Sequence, residues 1–315
     1  MDWILVFCGL VLLLLAGDAL VKGAVNLALR LGIPALIVSL TVVAFGTSAP
    51  ELLVSVDAIL NDTPGIAMGN VVGSNTANIL LVLGLPALIA TLPPSADDTR
   101  ASYLQMIAAT ALFTVLAFFG VFTWWSGLIL LAALAAMLTH AALGARRARR
   151  AAAAAPAEED LEGADPAMPG WRIALYLVLG IIGLPLGADL LVSGASGIAR
   201  AFGIGETAIG LTLVAIGTSL PELATTGIAA IKRQADVAMG NVIGSNMFNL
   251  LAIIGIASLV GPIPVEAAVL HFDIWVMIGA SLLLAPFVFL RRQIGHVSGA
   301  ALTALYVLYG VIVLA

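Results

Sequence analysis

Two short stretches place oxygen-rich side chains where an apolar run would otherwise exclude them. Gly46-Thr47-Ser48-Ala49-Pro50-Glu51-Leu52 sits inside the hydrophobic run from Pro34 to Leu60, and Gly217-Thr218-Ser219-Leu220-Pro221-Glu222-Leu223 repeats it in the second half of the chain. Glu51 lies four residues past Thr47 and three past Ser48, so on a helix the carboxylate and both hydroxyls share one face. Pro50 has no N–H to offer the carbonyl of Gly46, and its ring clashes with that carbonyl, so a backbone oxygen is freed beside the carboxylate. Carboxylate, hydroxyl and freed carbonyl together are hard-oxygen ligands for a cation.

A second polar stretch follows each of these. Met68-Gly69-Asn70-Val71-Val72-Gly73-Ser74-Asn75-Thr76-Ala77-Asn78 is matched by Met239-Gly240-Asn241-Val242-Ile243-Gly244-Ser245-Asn246-Met247-Phe248-Asn249. The glycines, four apart in each copy, give flat helix faces for close packing. Ser74 with Asn78, and Ser245 with Asn249, present two oxygens on one side of a helix and join the expected ion site. Asn70, Asn75, Asn241 and Asn246 fit hydrogen bonding between helices at least as well as they fit ligation.

The elements that must carry these residues are themselves duplicated. Displaced by 171 positions, 30 of the 68 residues from 17 to 84 match those from 188 to 255 without a gap, polar pairs such as Asp18/Asp189, Thr41/Thr212 and Asn75/Asn246 among them. The chain divides into about ten apolar segments, roughly 3–29, 34–60, 66–91, 102–120, 124–142, 172–199, 205–230, 236–260, 271–290 and 296–315, each long enough to cross a bilayer. Five segments separate each residue from its mate, so the halves cross in opposite directions. That is an inverted-topology repeat, whose substrate site lies at the midplane between the halves and whose access alternates as one part moves against another. The expected fold is an all-α integral membrane protein of two five-helix repeats, 1–143 and 171–315, joined by a linker over 144–170. The paired polar motifs fall within 41–84 and 212–255.

Composition agrees with this class. The chain is 62% hydrophobic and 10% charged, with a mean hydropathy of +1.14, which excludes an ordinary soluble domain. A net charge of -5 argues against a nucleic-acid partner. A single cysteine, Cys8, excludes an intrachain disulfide and a cysteine-based metal site and reads as a small packing residue. The first segment opens with an apolar run that a signal peptide would share, but Met1-Asp2 is no basic leader, so a retained span is expected.

Eleven of the thirteen basic residues, Arg30, Arg100, Arg146, Arg147, Arg149, Arg150, Arg172, Lys232, Arg233, Arg291 and Arg292, fall on one side when the segments alternate. The positive-inside rule makes that side cytoplasmic, with both termini outside and a multi-pass chain in the cell (inner) membrane. The Gly144–Gly170 linker, with its arginines, alanine run, acidic cluster and three prolines, reads as a low-complexity cytoplasmic tether. Asp18 and Lys22, four apart, are expected to pair. Asp57 fits either an outer vestibule or a structural hydrogen bond. Asp273 and the three histidines (His140, His271, His296) read as interfacial or packing residues.

Gly-Thr-Ser-x-Pro-Glu followed by Gly-Asn-x-x-Gly-Ser-Asn-x-x-Asn, in two copies, closely resembles the alpha repeats of the cation/calcium exchanger superfamily, nearest to the short prokaryotic sodium/calcium exchangers. The resemblance covers essentially the whole chain. It implies that Glu51 and Glu222 are the central calcium ligands, and that Thr47 and Thr218 add carbonyl oxygens. It further implies that Ser48, Ser74, Ser219 and Ser245 line sodium sites with the carbonyls of Ala44 and Ala215, and that Asn78 and Asn249 close the middle of the site. Potassium-dependent relatives use an aspartate at one of the last two positions; asparagine at both argues for potassium independence.

The resemblance thus implies a secondary active antiporter exchanging Ca2+ for Na+, with those ions and the lipid bilayer as its partners, no nucleic acid and no cofactor; protein partners are left open. A calcium/proton exchanger is the alternative, although neither copy carries the Gly-Asn-x-x-Glu type of motif usual in the proton-coupled branch. An intramembrane protease would need a nucleophile and base or a His-Glu-x-x-His motif, which the chain lacks. A passive channel would need no counter-ion on the opposite side.

Overall fold

A computed structural model describes residues 2–95, 99–152, 165, 167–202 and 215–314. The chain is an all-α integral, multi-pass membrane protein. In chain order the helices are α1 (Asp2–Leu31), α2 (Ala35–Thr47), α3 (Ala49–Leu60), α4 (Pro64–Ile89), α5 (Arg100–Ala117), α6 (Trp124–Ala152), α7 (Gly170–Ala201), α8 (Ala215–Thr218), α9 (Leu220–Ile231), α10 (Ala235–Val260), α11 (Val269–Phe289) and α12 (His296–Leu314). Among the described residues eight helices are long and apolar enough to cross a membrane, and nine when α2 and α3, bent by 42° at Ser48, count as one broken span. The seventh expected segment, 205–230, falls partly outside the described residues, and α8 with α9 forms its described part.

The rim is apolar and faces outward: Trp3, Phe7 and Leu15 on α1, Leu179 and Ile182 on α7, and Val307 and Val311 on α12 are exposed. In water such a surface would drive aggregation, and in a bilayer it meets lipid. The exposed tryptophans Trp3, Trp124 and Trp171 stand at the starts of their helices, where an indole ring sits best between headgroup and tail. The interior is filled instead by α4 and α10, the most deeply buried of the spans.

The first helices of the two halves, α1 and α7, run antiparallel in direct backbone contact. A Cβ on Gly9 would stand 2.5 Å from the backbone nitrogen of Leu191, and one on Gly180 would stand 2.5 Å from Cβ of Leu20. Each contact repeats the other under the 171-residue displacement, as does Gly23 against Leu177 with Gly194 against Val6. Contacts that map onto themselves in this way are those of an interface between inverted copies.

The pair is fastened to the rest of the molecule by charge. Asp18 of α1 meets Lys22 at 2.8 Å, as the four-residue spacing requires, and it also pairs with Lys232 beyond the end of α9. The second partner was not visible in the spacing. Asp165 N–H donates to Asn26 Oδ1 at 2.8 Å, and Arg30 Nη1 donates to the Met168 carbonyl at 3.3 Å, so the chain entering α7 rests on the basic end of α1.

Helix α6 runs to Ala152, ten residues beyond its expected end at 142. Its continuation into the 144–170 stretch follows from composition: alanine and arginine favour helix, and the first proline stands only at 156. The remaining stretch, 153–164 with 166, lies outside the described residues. Two short strands, β1 (Val121–Phe122) and β2 (Ile263–Pro264), pair antiparallel, and a bridge joins Leu92 to Ile294. Leu92 and Ile263 are 171 positions apart, so each half lends a buried loop strand to the other.

Candidate cation site

The site is built where broken helices meet. Ser48 leaves helical geometry at φ -85°, ψ 5°, and Ser219 does the same at φ -86°, ψ 1°, each one residue before the helix that carries the proline and glutamate. Thus Pro50 and Pro221 stand in the first turn of α3 and α9, where a missing N–H is tolerated, and they end the preceding helix. Glu51 and Glu222 follow in those same first turns, where the helix dipole favours a carboxylate.

Each glutamate backbone is held by an asparagine of the neighbouring buried helix. Asn70 Nδ2 donates to the Glu51 carbonyl at 3.1 Å and to Ser55 Oγ at 3.0 Å. Its repeat mate Asn241 donates to the Glu222 carbonyl at 3.5 Å and to Thr226 Oγ1 at 3.2 Å. These two asparagines are brackets between helices, the hydrogen-bonding one of the two readings open for them. Thr47 Oγ1 is also engaged, within 3.2 Å of Asn241 Oδ1 and 3.3 Å of the Ala44 carbonyl.

The side chains at the centre are differently placed. Glu51 and Glu222 are each 1% exposed and close enough to act on each other electrostatically. Ser48 Oγ donates to Glu222 Oε1 at 3.2 Å, and Ser245 Oγ stands 3.5 Å from the same oxygen. Both oxygens of Glu51, Oε2 of Glu222, Oδ1 of Asn78 and both amide atoms of Asn249 are buried without a hydrogen-bond partner. Unsatisfied buried polar atoms are costly and rare in folded proteins. Their concentration on four residues of two inverted motifs marks a place built for something that takes oxygen ligands.

Not every sequence-predicted residue stands alike. Glu51, Glu222, Asn78 and Asn249 carry the unpartnered atoms, Ser48 and Ser245 reach the other carboxylate oxygen of Glu222, and Ser74 and Ser219 are buried at 5% and 3% exposure. The Ala44 carbonyl already accepts the Ser48 N–H at 3.0 Å as well as the Thr47 hydroxyl, so a cation there would displace one of them. Ala215 and Thr218 bound the short helix α8; Thr218 is half-buried, and Thr212 lies outside the described residues. Asp57 is exposed. Among the described residues no cluster of three or more His, Cys, Asp or Glu converges, so two carboxylates supply the negative charge here.

The glycine pairs behave unequally. Gly240 and Gly244 press on α2, where a Cβ would come within 2.7 Å of the Leu36 carbonyl and 2.5 Å of the Leu40 carbonyl. Among the described residues nothing lies within 4 Å of a Cβ placed on Gly69 or Gly73. The mates of Leu36 and Leu40, at 207 and 211, lie outside the described residues.

Two features have no sequence signal. Asn78 opens a π-helical turn, Asn78–Val82, and Asn249 lies in its counterpart, Phe248–Ile253. Such turns widen a helix and leave backbone groups out of register, often at functional positions.

Comparison with known proteins places this arrangement. A family model described as sodium/calcium exchanger protein matches residues 1–143 and 172–315. The sodium/calcium exchanger MaX1 of Methanosarcina acetivorans is 34% identical, the match covering 99% of this chain and 98% of that protein. Inner membrane protein YrbG of Escherichia coli is 34% identical over 97% of this chain and 94% of its own length. A structure of the sodium-calcium exchanger NCX_Mj soaked with 2.5 mM Na+ and 1 mM Sr2+ superposes with a TM-score of 0.82 at 32% identity, covering 98% of this chain and 97% of that one.

Proposed function

The chain belongs to the sodium/calcium exchanger protein family, a membrane cation exchanger by descent, and from that premise we propose that it is a secondary active antiporter moving Ca2+ against Na+. The observation that carries this reading is the set of buried, unpartnered oxygens on Glu51, Glu222 and Asn78. Two carboxylates give -2, which balances one Ca2+ or two Na+. A carboxylate at mid-bilayer costs about 2.5–3.5 kcal/mol on insertion scales, so two that act on each other strongly favour an occupied site. Crossing only when occupied separates an exchanger from a leak.

In this reading Glu51 and Glu222 ligate calcium together with the Thr47 and Thr218 carbonyls. Ser48, Ser74, Ser219 and Ser245, with the carbonyls of Ala44 and Ala215, take sodium, while Asn78 and Asn249 add neutral oxygens between. The basic ends of the spans face the cytoplasm of a cell membrane and both termini face outward. The two repeats alternate access by rocking about the midplane site.

The test is calcium uptake into proteoliposomes with sodium, potassium and proton gradients imposed one at a time. Uptake driven by an outward sodium gradient alone supports the reading. Full-rate uptake with only a pH gradient, in sodium-free and potassium-free buffer, overturns it in favour of calcium/proton exchange.

A further inference from the structure

We propose that Asn246 is a positioning residue that fixes which end of the Asn78 carboxamide faces the cation site. The inference rests on the exchanger function proposed above and goes beyond it by assigning a role to a residue that itself carries no oxygen to the ion.

The backbone carbonyl of Asn75 can only accept a hydrogen bond. Asn246 Nδ2 stands 3.4 Å from the backbone carbonyl of Asn75 and 3.7 Å from Sδ of Met106. Neither of those atoms has a proton to give, so the NH2 end of Asn246 must point to them. That leaves Asn246 Oδ1 toward Asn78, whose Nδ2 donates to it at 3.0 Å. The order then propagates: with its NH2 committed to Asn246, Asn78 can turn only its oxygen the other way, and Oδ1 is buried without a partner. Were Asn78 reversed, two amide oxygens would face each other at hydrogen-bond distance and an NH2 group would meet the cation.

The relay exists in one direction only. Asn75, the repeat mate of Asn246, donates to the Val71 carbonyl of its own helix at 2.8 Å and makes no equivalent bond to Asn249, neither amide atom of which has a partner. Asn78 is therefore a fixed oxygen and Asn249 a free amide, although the two occupy matching positions in matching motifs. Asn246 and Asn78 are each 1% exposed, so water does not compete for these bonds.

The experiment reads the KM for calcium in proteoliposomes. Asn246→Leu removes the relay and is expected to raise KM about tenfold, the scale of one lost ligand interaction, with the maximum rate kept. Asn246→Asp is expected to hold KM within about twofold. Protonated, an aspartic acid accepts from Asn78 and donates to the Asn75 carbonyl, as the amide does. A purely structural role would rank these variants the other way, since burying a carboxyl group costs more than burying a leucine. Asn78→Ala combined with Asn246→Leu should be no worse than Asn78→Ala alone, because both remove one oriented oxygen.

A wild-type KM in Asn246→Leu, or effects that multiply in the double variant, overturns the relay. If Asn246→Leu fails to fold, a KM in Asn246→Asp raised as far as in Asn78→Ala overturns it equally. Should the wild type take up no calcium under any gradient, the proposed exchange function falls instead. The same variants are then ranked by sodium-dependent thermal stabilisation, where the same order is expected and its absence rejects the relay.

Discussion

Ser48 Oγ donates to Glu222 Oε1 at 3.2 Å, from the first half of the chain to the second, and the reciprocal bond from Ser219 to Glu51 is not made, since neither Glu51 oxygen has a partner. A carboxylate held by a hydroxyl keeps its position between ions, whereas one without partners is free to follow the ion. Hydrogen bonds to charged groups contribute about 1.5–3 kcal/mol, so Ser48→Ala is expected to weaken calcium transport about tenfold or more in kcat/KM. Ser219→Ala should cost clearly less. Equal losses in initial-rate measurements on the two variants would mean that the asymmetry plays no part in transport.

Glu51→Gln and Glu222→Gln each remove one charge while nearly keeping shape. Either leaves the site at -1, too little to neutralise a dehydrated divalent ion, and each should abolish calcium transport with the protein still folded. Asp57→Asn, at an exposed position, should keep most of the activity. Uptake assays on detergent-purified, monodisperse variants settle this, and a near-normal rate in either glutamine variant would remove that glutamate from the site.

Three Na+ in place of one Ca2+ would set +3 against -2. With Asn78 and Asn249 both neutral, the surplus charge rests on hydroxyls and carbonyls, which suits easy release. Exchange should therefore be electrogenic, if three sodium ions move per calcium as the family resemblance implies, and indifferent to potassium. Asn249→Asp should add a third charge, shift the ion preference and slow sodium release. Membrane-potential dyes in the uptake assay report the first expectation, and potassium omission reports the second.

The orientation follows from the basic residues. In a Cys8→Ala background, Ala315→Cys should react with a membrane-impermeant thiol reagent in intact cells and Ala153→Cys should not; both positions lie outside the described residues. The opposite labelling pattern would invert the assignment of the cytoplasmic side.

Much of the candidate site was readable from the letters because duplication filters them. Glu51 and Glu222 stand out as carboxylates in apolar runs, and Pro50 and Pro221 announce the helix breaks seen at Ser48 and Ser219. Fold class and span order follow from hydropathy, since a bilayer requires long apolar helices. What stayed hidden is how matched positions of the two copies come to differ. Asn75 and Asn246 each follow Gly-Ser and stand three residues before an asparagine, yet one bonds within its own helix and the other reaches across. Ser48 and Ser219 diverge likewise. The π turns at Asn78 and Phe248 leave no mark in an apolar run, and the pairing of Asp18 with Lys232 needs two helices brought together by the fold.

The contact between α1 and α7 also fixes how the molecule meets its solvent. At about 1.5 Å per residue these helices of 30 and 32 residues are about 45 and 48 Å long, well beyond the hydrocarbon thickness of about 30 Å. Joined backbone to backbone at Gly9 and Gly180, they cannot shorten separately and must lean together. Any change in that lean exchanges apolar surface with acyl chains, at a cost of fractions of a kcal/mol per Å of mismatch. Bilayer thickness is thereby a mechanical load that this pair meets as one body.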